Sequence, residues 1–259
     1  MKIAVLGAGA YGTALGSVLA GKGYDVDYYD TRLGRERLSD VLEDAKTVVL
    51  SVPSEIATRL LPHLPKGRFL IVATKGFLTD EVFEEFRDWT VLSGAAFAAD
   101  LRGGLEVKLT ATDPRVMEMF QAENLRFDET SDRKGVLLCG ALKNVYALWA
   151  GYCLLRPGTD VHEKYLKDTA DEMRAILLAN GADPMTVDLH CGVDDLRLTS
   201  GPGSRNYIYG QELAKNPKTK PETTVEGLTV LKRIRRGEIN LPGNLPYLEN
   251  LLRESEKWD

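Results

Sequence analysis

Residues 2–30 read KIAVLGAGAYGTALGSVLAGKGYDVDYYD, and this stretch decides the fold. Lys2 to Leu6 is a short apolar run ending on glycine, the pattern of a strand buried on both faces. Gly7-Ala8-Gly9-Ala10-Tyr11-Gly12 follows, opening a helical segment with Gly23 as its stop signal. Tyr24 to Tyr29 reads as a second strand that closes on Asp30. Glycines alone close many turns, but here they follow a strand, start a helix and are trailed by an acid, the context a dinucleotide site requires. Gly7 allows the tight turn, Gly9 lets the backbone approach a pyrophosphate, and Gly12 permits close helix packing. The helix N-terminus, with Ala10 and Tyr11 in its first turn, offers N–H groups to the phosphates.

Further strands are expected at 47–52, 69–73, 90–93 and 107–112, alternating with helices. Past roughly residue 133 the rhythm stops, and 136–155, 162–180, 204–215, 222–236 and 245–256 all have helical patterning. The expected architecture is α/β. A Rossmann-type doubly wound sheet spans 1–133, and a mostly α-helical domain spans 134–259, with a cleft between them.

Composition narrows the function. The 259 residues carry 33 basic and 38 acidic side chains, a net charge of -5, which argues against nucleic acid or an anionic membrane as partner. Cys139, Cys153 and Cys191 are odd in number and without CxxC spacing, and three scattered histidines add no metal-ligand cluster. A reduced, cytoplasmic setting is expected. The apolar N-terminus is interrupted by patterned glycines behind a single lysine, unlike a secretion signal. The run Val136 to Leu155 is long enough to span a bilayer, but it contains Lys143, Asn144 and two glycines and suits a buried helix better.

Several side chains invite chemistry. Asp30 is placed to accept hydrogen bonds from ribose hydroxyls, which favours NAD; Arg32 and Arg35 follow closely and keep NADP open by offering a grip on a 2′-phosphate. Ser51-Val52-Pro53-Ser54 and Thr74-Lys75-Gly76 sit at strand carboxyl ends, where open α/β sheets bind ligands. An ammonium at Lys143 inside an apolar helix requires a partner or a polar cavity, unless it snorkels to solvent, and a buried amine is readily tuned for proton transfer. In Thr199-Ser200-Gly201-Pro202-Gly203-Ser204-Arg205-Asn206 a glycine-rich loop ends in a serine N-cap, an arrangement that makes an anion site. Arg205 in the first turn opposes the helix dipole, so helix stability does not account for it, whereas a bound phosphate does.

In order along the chain, GAGAYGTAL, SVPS, ATKG, SGAAFA, GALKNVYALWAG, GVDDL, LTSGPGSRN and VEG resemble the NAD(P)-dependent glycerol-3-phosphate dehydrogenase family. GALKN and SRN are the specific segments. The resemblance implies a dehydrogenase that interconverts dihydroxyacetone phosphate and sn-glycerol 3-phosphate with NAD, or NADP. By the same resemblance Lys143 is the catalytic acid/base, with Asp195 holding it. Lys75, Gly94, Asn144, Thr199, Ser204, Arg205 and Asn206 contact substrate. Gly7, Gly9, Ala10, Tyr11, Gly12, Asp30, Lys75, Ala98, Arg205 and Glu226 contact cofactor, no metal is needed, and a homodimer is open.

The chain also departs from the family pattern. The connection from Tyr29 to Thr47 is short, and Ala96 stands where the family commonly carries a hydroxyl. Residues 157–163 read PGTDVHE, more acidic than usual, and Asp30 replaces a small residue. Two alternatives follow from these departures: a related reductase for another small phosphorylated or acidic ketone, and a nucleotide-binding sensor without turnover.

Overall fold

The computed structural model describes residues 1–32 and 37–258; Arg35 lies outside them. A seven-stranded sheet runs β2-β1-β3-β4-β5-β6-β7. Its strands are β1 (Lys2–Leu6), β2 (Asp25–Tyr29), β3 (Thr47–Leu50), β4 (Phe69–Val72), β5 (Trp89–Ala95), β6 (Val107–Ala111) and β7 (Leu125–Glu129). All neighbours are parallel except β5 and β6, which pair antiparallel with Gly94 opposite Leu109.

Alternation along β1 shows how both faces are covered. Ile3 and Val5 enter one core with Leu15 and Leu19 of helix α1 (Ala10–Gly21). Ala4 and Leu6 point to the other face and join a larger core that includes Leu142 and Val145 of the long helix described below. A strand flanked on both sides in this way must be apolar at every position, which is why KIAVL has no polar stripe after its first residue.

Two features differ from the sequence expectation. Leu125–Glu129 (LRFDE) is a strand that its composition did not announce. It lies at the sheet edge, paired to β6 alone, and an edge with one solvated face tolerates Arg126 and Asp128. β5 extends three residues beyond the expected 90–93 in total, one before and two after, because antiparallel pairing with β6 carries it through Gly94 to Ala95.

From Arg133 onward the described chain is helical. Shorter helices on the sheet side are α2 (Leu38–Leu42), α3 (Ser54–Leu60), α4 (Ala98–Gly103) and α5 (Pro114–Phe120). Helix α6 (Arg133–Tyr152) is buried without interruption from Gly135 to Gly151. Around and beside it pack α7 (Asp160–Ala179), the short α8 (Asp195–Thr199), α9 (Arg205–Lys215), α10 (Glu226–Arg235) and α11 (Pro246–Ser255). The α6–α9 contact is especially close. A methyl group on Gly151 would run into the Tyr207 carbonyl, and one on Gly210 into the Leu148 carbonyl. Backbone-to-backbone packing of this kind sets the first half of α9 against the C-terminal part of the buried helix. No helix of the described residues is long and apolar enough to cross a membrane.

Candidate active site

The glycine turn lies where the strand order reverses, with β1 between β2 and β3. Gly7 has φ +107°, a value that a side chain would strain, and its N–H donates to the Tyr29 carbonyl at 2.8 Å. A methyl at Gly12 would collide with the Gly7 carbonyl, so α1 abuts the turn directly. Gly9 caps α1 without a side-chain hydrogen bond, and the first turn holds no acidic residue. The first-turn N–H groups therefore have no capping side chain and are suited to an anion. With Asp30 at the end of β2, this uncapped glycine turn fits a dinucleotide.

Asp30 itself is already engaged. Its carboxylate accepts from Ala8 N (3.0 Å), Arg32 N (3.0 Å), Arg32 Nε (2.8 Å) and an Arg32 terminal nitrogen (2.5 Å). Hydrogen bonding to the Arg32 guanidinium is the main reason its carboxyl is held down at about 2.

Across from the turn, Lys75 follows β4. Its Nζ donates to the Gly94 carbonyl (3.1 Å) and the Ala96 carbonyl (3.0 Å) and lies 4.5 Å from the centre of the Tyr11 ring. Burial, and then the positive charge of Lys143, lower its pKa to about 7, with Asp195 acting in the opposite sense. Tyr11 carries a buried hydroxyl with no partner, and burial together with the Asp195 charge opposes its ionisation. Gly94 has φ +145°, and a methyl there would lie 2.7 Å from Leu109 Cα. Phe97, between Ala96 and Ala98, packs its ring on Gly203, since a methyl at Gly203 would come within 2.7 Å of that ring. Ala98 begins α4, partly exposed.

Lys143 does not snorkel. It is 1% exposed and donates to Asp195, which is 0% exposed. A π-helical turn, His190–Asp194, sets Asp195 at the start of α8, so that the carboxylate meets α6 fifty-two residues away in sequence. The second oxygen of Asp195 has no partner, and neither has the buried Ser93 Oγ. Sealing an ion pair this completely carries a desolvation cost that only close geometry and further hydrogen bonds repay, and the unpartnered Asp195 oxygen leaves part of it unmet.

Beside Lys143, Asn144 joins a chain of amides. Its Nδ2 donates to the carbonyls of Lys75 (2.8 Å) and Gly140 (2.9 Å), and its Oδ1 accepts from Asn206 Nδ2 (2.9 Å). Asn206 Oδ1 accepts from the Gly227 N–H (2.9 Å). The loop after β4 and helices α6, α9 and α10 are thereby stitched together through two side chains. Both Asn144 donors are spent within the protein.

Ser204 caps α9 by accepting from Tyr207 N, and Thr199 Oγ1 donates back to the Asp195 carbonyl at 2.6 Å. Arg205 is exposed and, among the described residues, makes no hydrogen bond or ion pair. Its charge is felt by Glu226, whose carboxyl is raised mainly by burial and held partly in check by Ser54 and Arg205. Glu226 accepts from Ser54 N (3.3 Å) and Ser54 Oγ (3.0 Å), tying α10 to the start of α3. In sequence Ser54 stands out only by its place at a strand end, Ser93 carries no signal of its own, and nothing in one sequence marks a partner 172 residues distant.

The structure therefore gathers Tyr11, Lys75, Gly94, Lys143, Asn144, Asp195 and Asn206, and places Arg205 at the preceding position, the first of α9. It sets Glu226 against Ser54, and leaves Ala98, Thr199 and Ser204 with structural bonds or none.

Residues 132–249 match the family model of the NAD-dependent glycerol-3-phosphate dehydrogenase C-terminus. The chain is 31% identical to the glycerol-3-phosphate dehydrogenase [NAD(P)+] of Leptospira biflexa, over 85% of this chain and 81% of that one. It is 30% identical to the enzyme of the same name from Pseudomonas entomophila, over 96% and 88%. In fold it is similar to the crystal structure of glycerol-3-phosphate dehydrogenase from Coxiella burnetii, with a TM-score of 0.82, 23% identity, and coverage of 99% and 94%. Identity at this level across almost the whole chain, on a buried lysine–aspartate pair beside a glycine turn, makes this protein a member of the NAD(P)-dependent glycerol-3-phosphate dehydrogenase family.

Proposed function

We propose that the protein interconverts dihydroxyacetone phosphate and sn-glycerol 3-phosphate, using NAD or NADP. The observation that carries this reading is the sealed Lys143–Asp195 pair, set close enough to Lys75 for the two ammonium groups to repel. A bound reduced nicotinamide supplies the hydride. Lys143 gives its proton to the oxygen of the substrate carbonyl as that oxygen becomes an alkoxide, a general-acid contribution of about 10² to 10⁴-fold. Asp195 orients the ammonium and offsets its positive charge electrostatically.

Arg205 binds the substrate phosphate in a forked contact, and its lack of a partner within the described chain leaves it available for one. Lys75, anchored on the Gly94 and Ala96 carbonyls, adds a second positive charge beside the reacting end. The Asn144–Asn206–Gly227 chain holds the two lysines and Arg205 in register, which is positioning and not direct contact. Division into a dinucleotide-binding part, 1–133, and a helical substrate-binding part, 134–259, belongs to the same reading, as do cytoplasmic location and assembly as a homodimer.

Ala96 favours one second reading, a different small phosphorylated ketone. Its side chain is buried at 2% exposure and offers a methyl where a hydroxyl is common in the family. Steady-state turnover of dihydroxyacetone phosphate and of several other ketones, each with NADH and NADPH, decides between the two. Wild-type-like turnover by Lys143→Ala overturns the role given to the lysine.

A further inference from the structure

Residues 157–163, where the chain departs from the family pattern, hold none of the site residues described above, yet with Leu155 they close around the loop that leads to Arg205. That loop, 200–204, runs from the end of α8 to the first residue of α9. His162, in the first turn of α7, is 1% exposed, and its Nε2 lies 3.0 Å from the Ser200 carbonyl. A carbonyl only accepts, so the ring donates from Nε2, and Nδ1 is left buried without a partner. Glu163, at the next position, pairs with Arg197 of α8 through two bonds of 2.5 and 2.7 Å. Pro157 packs on Gly201, where a methyl would lie 3.5 Å from its Cγ. At the far end the Tyr207 hydroxyl donates to the Leu155 carbonyl. A loop of Gly201, Pro202 and Gly203 has few side chains of its own to fix it. Arg205 has no side-chain partner among the described residues, so its position is that of the backbone carrying it.

We propose that the connection 155–163 is a clasp that positions Arg205 for the substrate phosphate, with His162 as its central positioning residue. This role rests on the reading of Arg205 as the phosphate anchor. His162 acts at a distance from the substrate, through the Ser200 carbonyl and the turn closed by the Ser204 N–H on the Gly201 carbonyl (3.0 Å). Tyr207 holds the other side of the same loop from within α9. Loosening either hold lets the guanidinium sample more positions, so part of the phosphate binding energy is lost in ordering it. Proton transfer at Lys143, which is fixed by α6 and Asp195, stays largely as it was.

The test is steady-state turnover of dihydroxyacetone phosphate, together with its inhibition by inorganic phosphate. Wild type, His162→Phe, His162→Gln, Tyr207→Phe and Arg205→Ala are compared, and the two phenylalanine variants are repeated in the Arg205→Ala background. His162→Phe keeps a ring and loses the donor, whereas His162→Gln keeps an amide donor near the Nε2 position. His162→Phe and Tyr207→Phe should each raise KM and the phosphate inhibition constant by about three- to tenfold, the scale of one hydrogen bond, with kcat within about twofold. His162→Gln should recover most of that loss. Without Arg205 neither phenylalanine change should shift KM further, a coupling that a general loss of stability does not produce. Unchanged KM and phosphate inhibition in His162→Phe overturn the clasp, and so does an equal shift with and without Arg205. If thermal melting shows His162→Phe unfolded, Tyr207→Phe decides by the same two criteria. Arg205→Ala with unaltered phosphate inhibition would overturn the reading of Arg205 itself and the clasp with it.

Discussion

Lys143 and Asp195 meet across the α6–α8 contact with 1% and 0% of their side chains exposed, so neither charge has solvent to fall back on. Removing either partner strands the other. Lys143→Ala and Asp195→Ala should each lower folding stability by about 3–5 kcal/mol, read by urea denaturation. The paired replacement Lys143→Met/Asp195→Leu should regain most of that stability while turnover stays lost by roughly 10² to 10⁴-fold. Recovery of turnover by the apolar pair would remove the lysine from the chemistry.

Arg205 presents the opposite profile. It is exposed and unpaired among the described residues, so Arg205→Ala should leave the melting temperature within the range of an ordinary surface change. Its effect should appear in KM for the phosphorylated substrate, raised roughly ten- to hundredfold, with a smaller change in kcat. Arg205→Lys keeps the charge but not the fork, and should recover only part of the loss.

Lys75 links binding to pH. Its pKa is about 7 in the folded chain, below its ordinary 10.5, because burial and Lys143 disfavour its charge. Between those values the unfolded chain holds a proton that the native chain lacks. Stability from this group therefore rises with pH through that window, and the full penalty applies below it. An anionic substrate beside Lys75 favours the charged form. Binding of dihydroxyacetone phosphate at about pH 8 should thus take up protons. Calorimetry in two buffers of different ionisation enthalpy measures this uptake, which should be absent in Lys75→Met.

Asn206 should act through structure. In Asn206→Ala the Asn144 Oδ1 and the Gly227 N–H lose their partners, at a cost of about 1–3 kcal/mol in urea unfolding. Because Asn206 holds both the lysines and Arg205 in register in this scheme, kcat should fall with a smaller rise in KM. A large rise in KM alone would make Asn206 a direct substrate contact.

The legible and illegible parts of the molecule divide along a physical line. Glycines at 7, 9 and 12 announced a strand–turn–helix because the steric demands of that turn are local. The long apolar helix was visible in composition, although it ends at Tyr152 and residues 153–155 leave it. β7 escaped notice because an edge strand with a solvated face can be charged, and charge masks its alternation. The π-helical turn before Asp195 likewise has no signature in residue type.

By itself, then, the sequence determined the nucleotide-binding turn, the strand–helix alternation and the presence of a lysine in an apolar helix, which had either to find a partner or to snorkel to solvent. Tertiary structure alone decided what that lysine touches, that Asn144 and Asn206 bond to each other, and that Glu226 seeks Ser54. Local propensities act over a few residues and are written in residue types. Partnerships across 52, 62 or 172 positions exist only once packing has brought the backbones together.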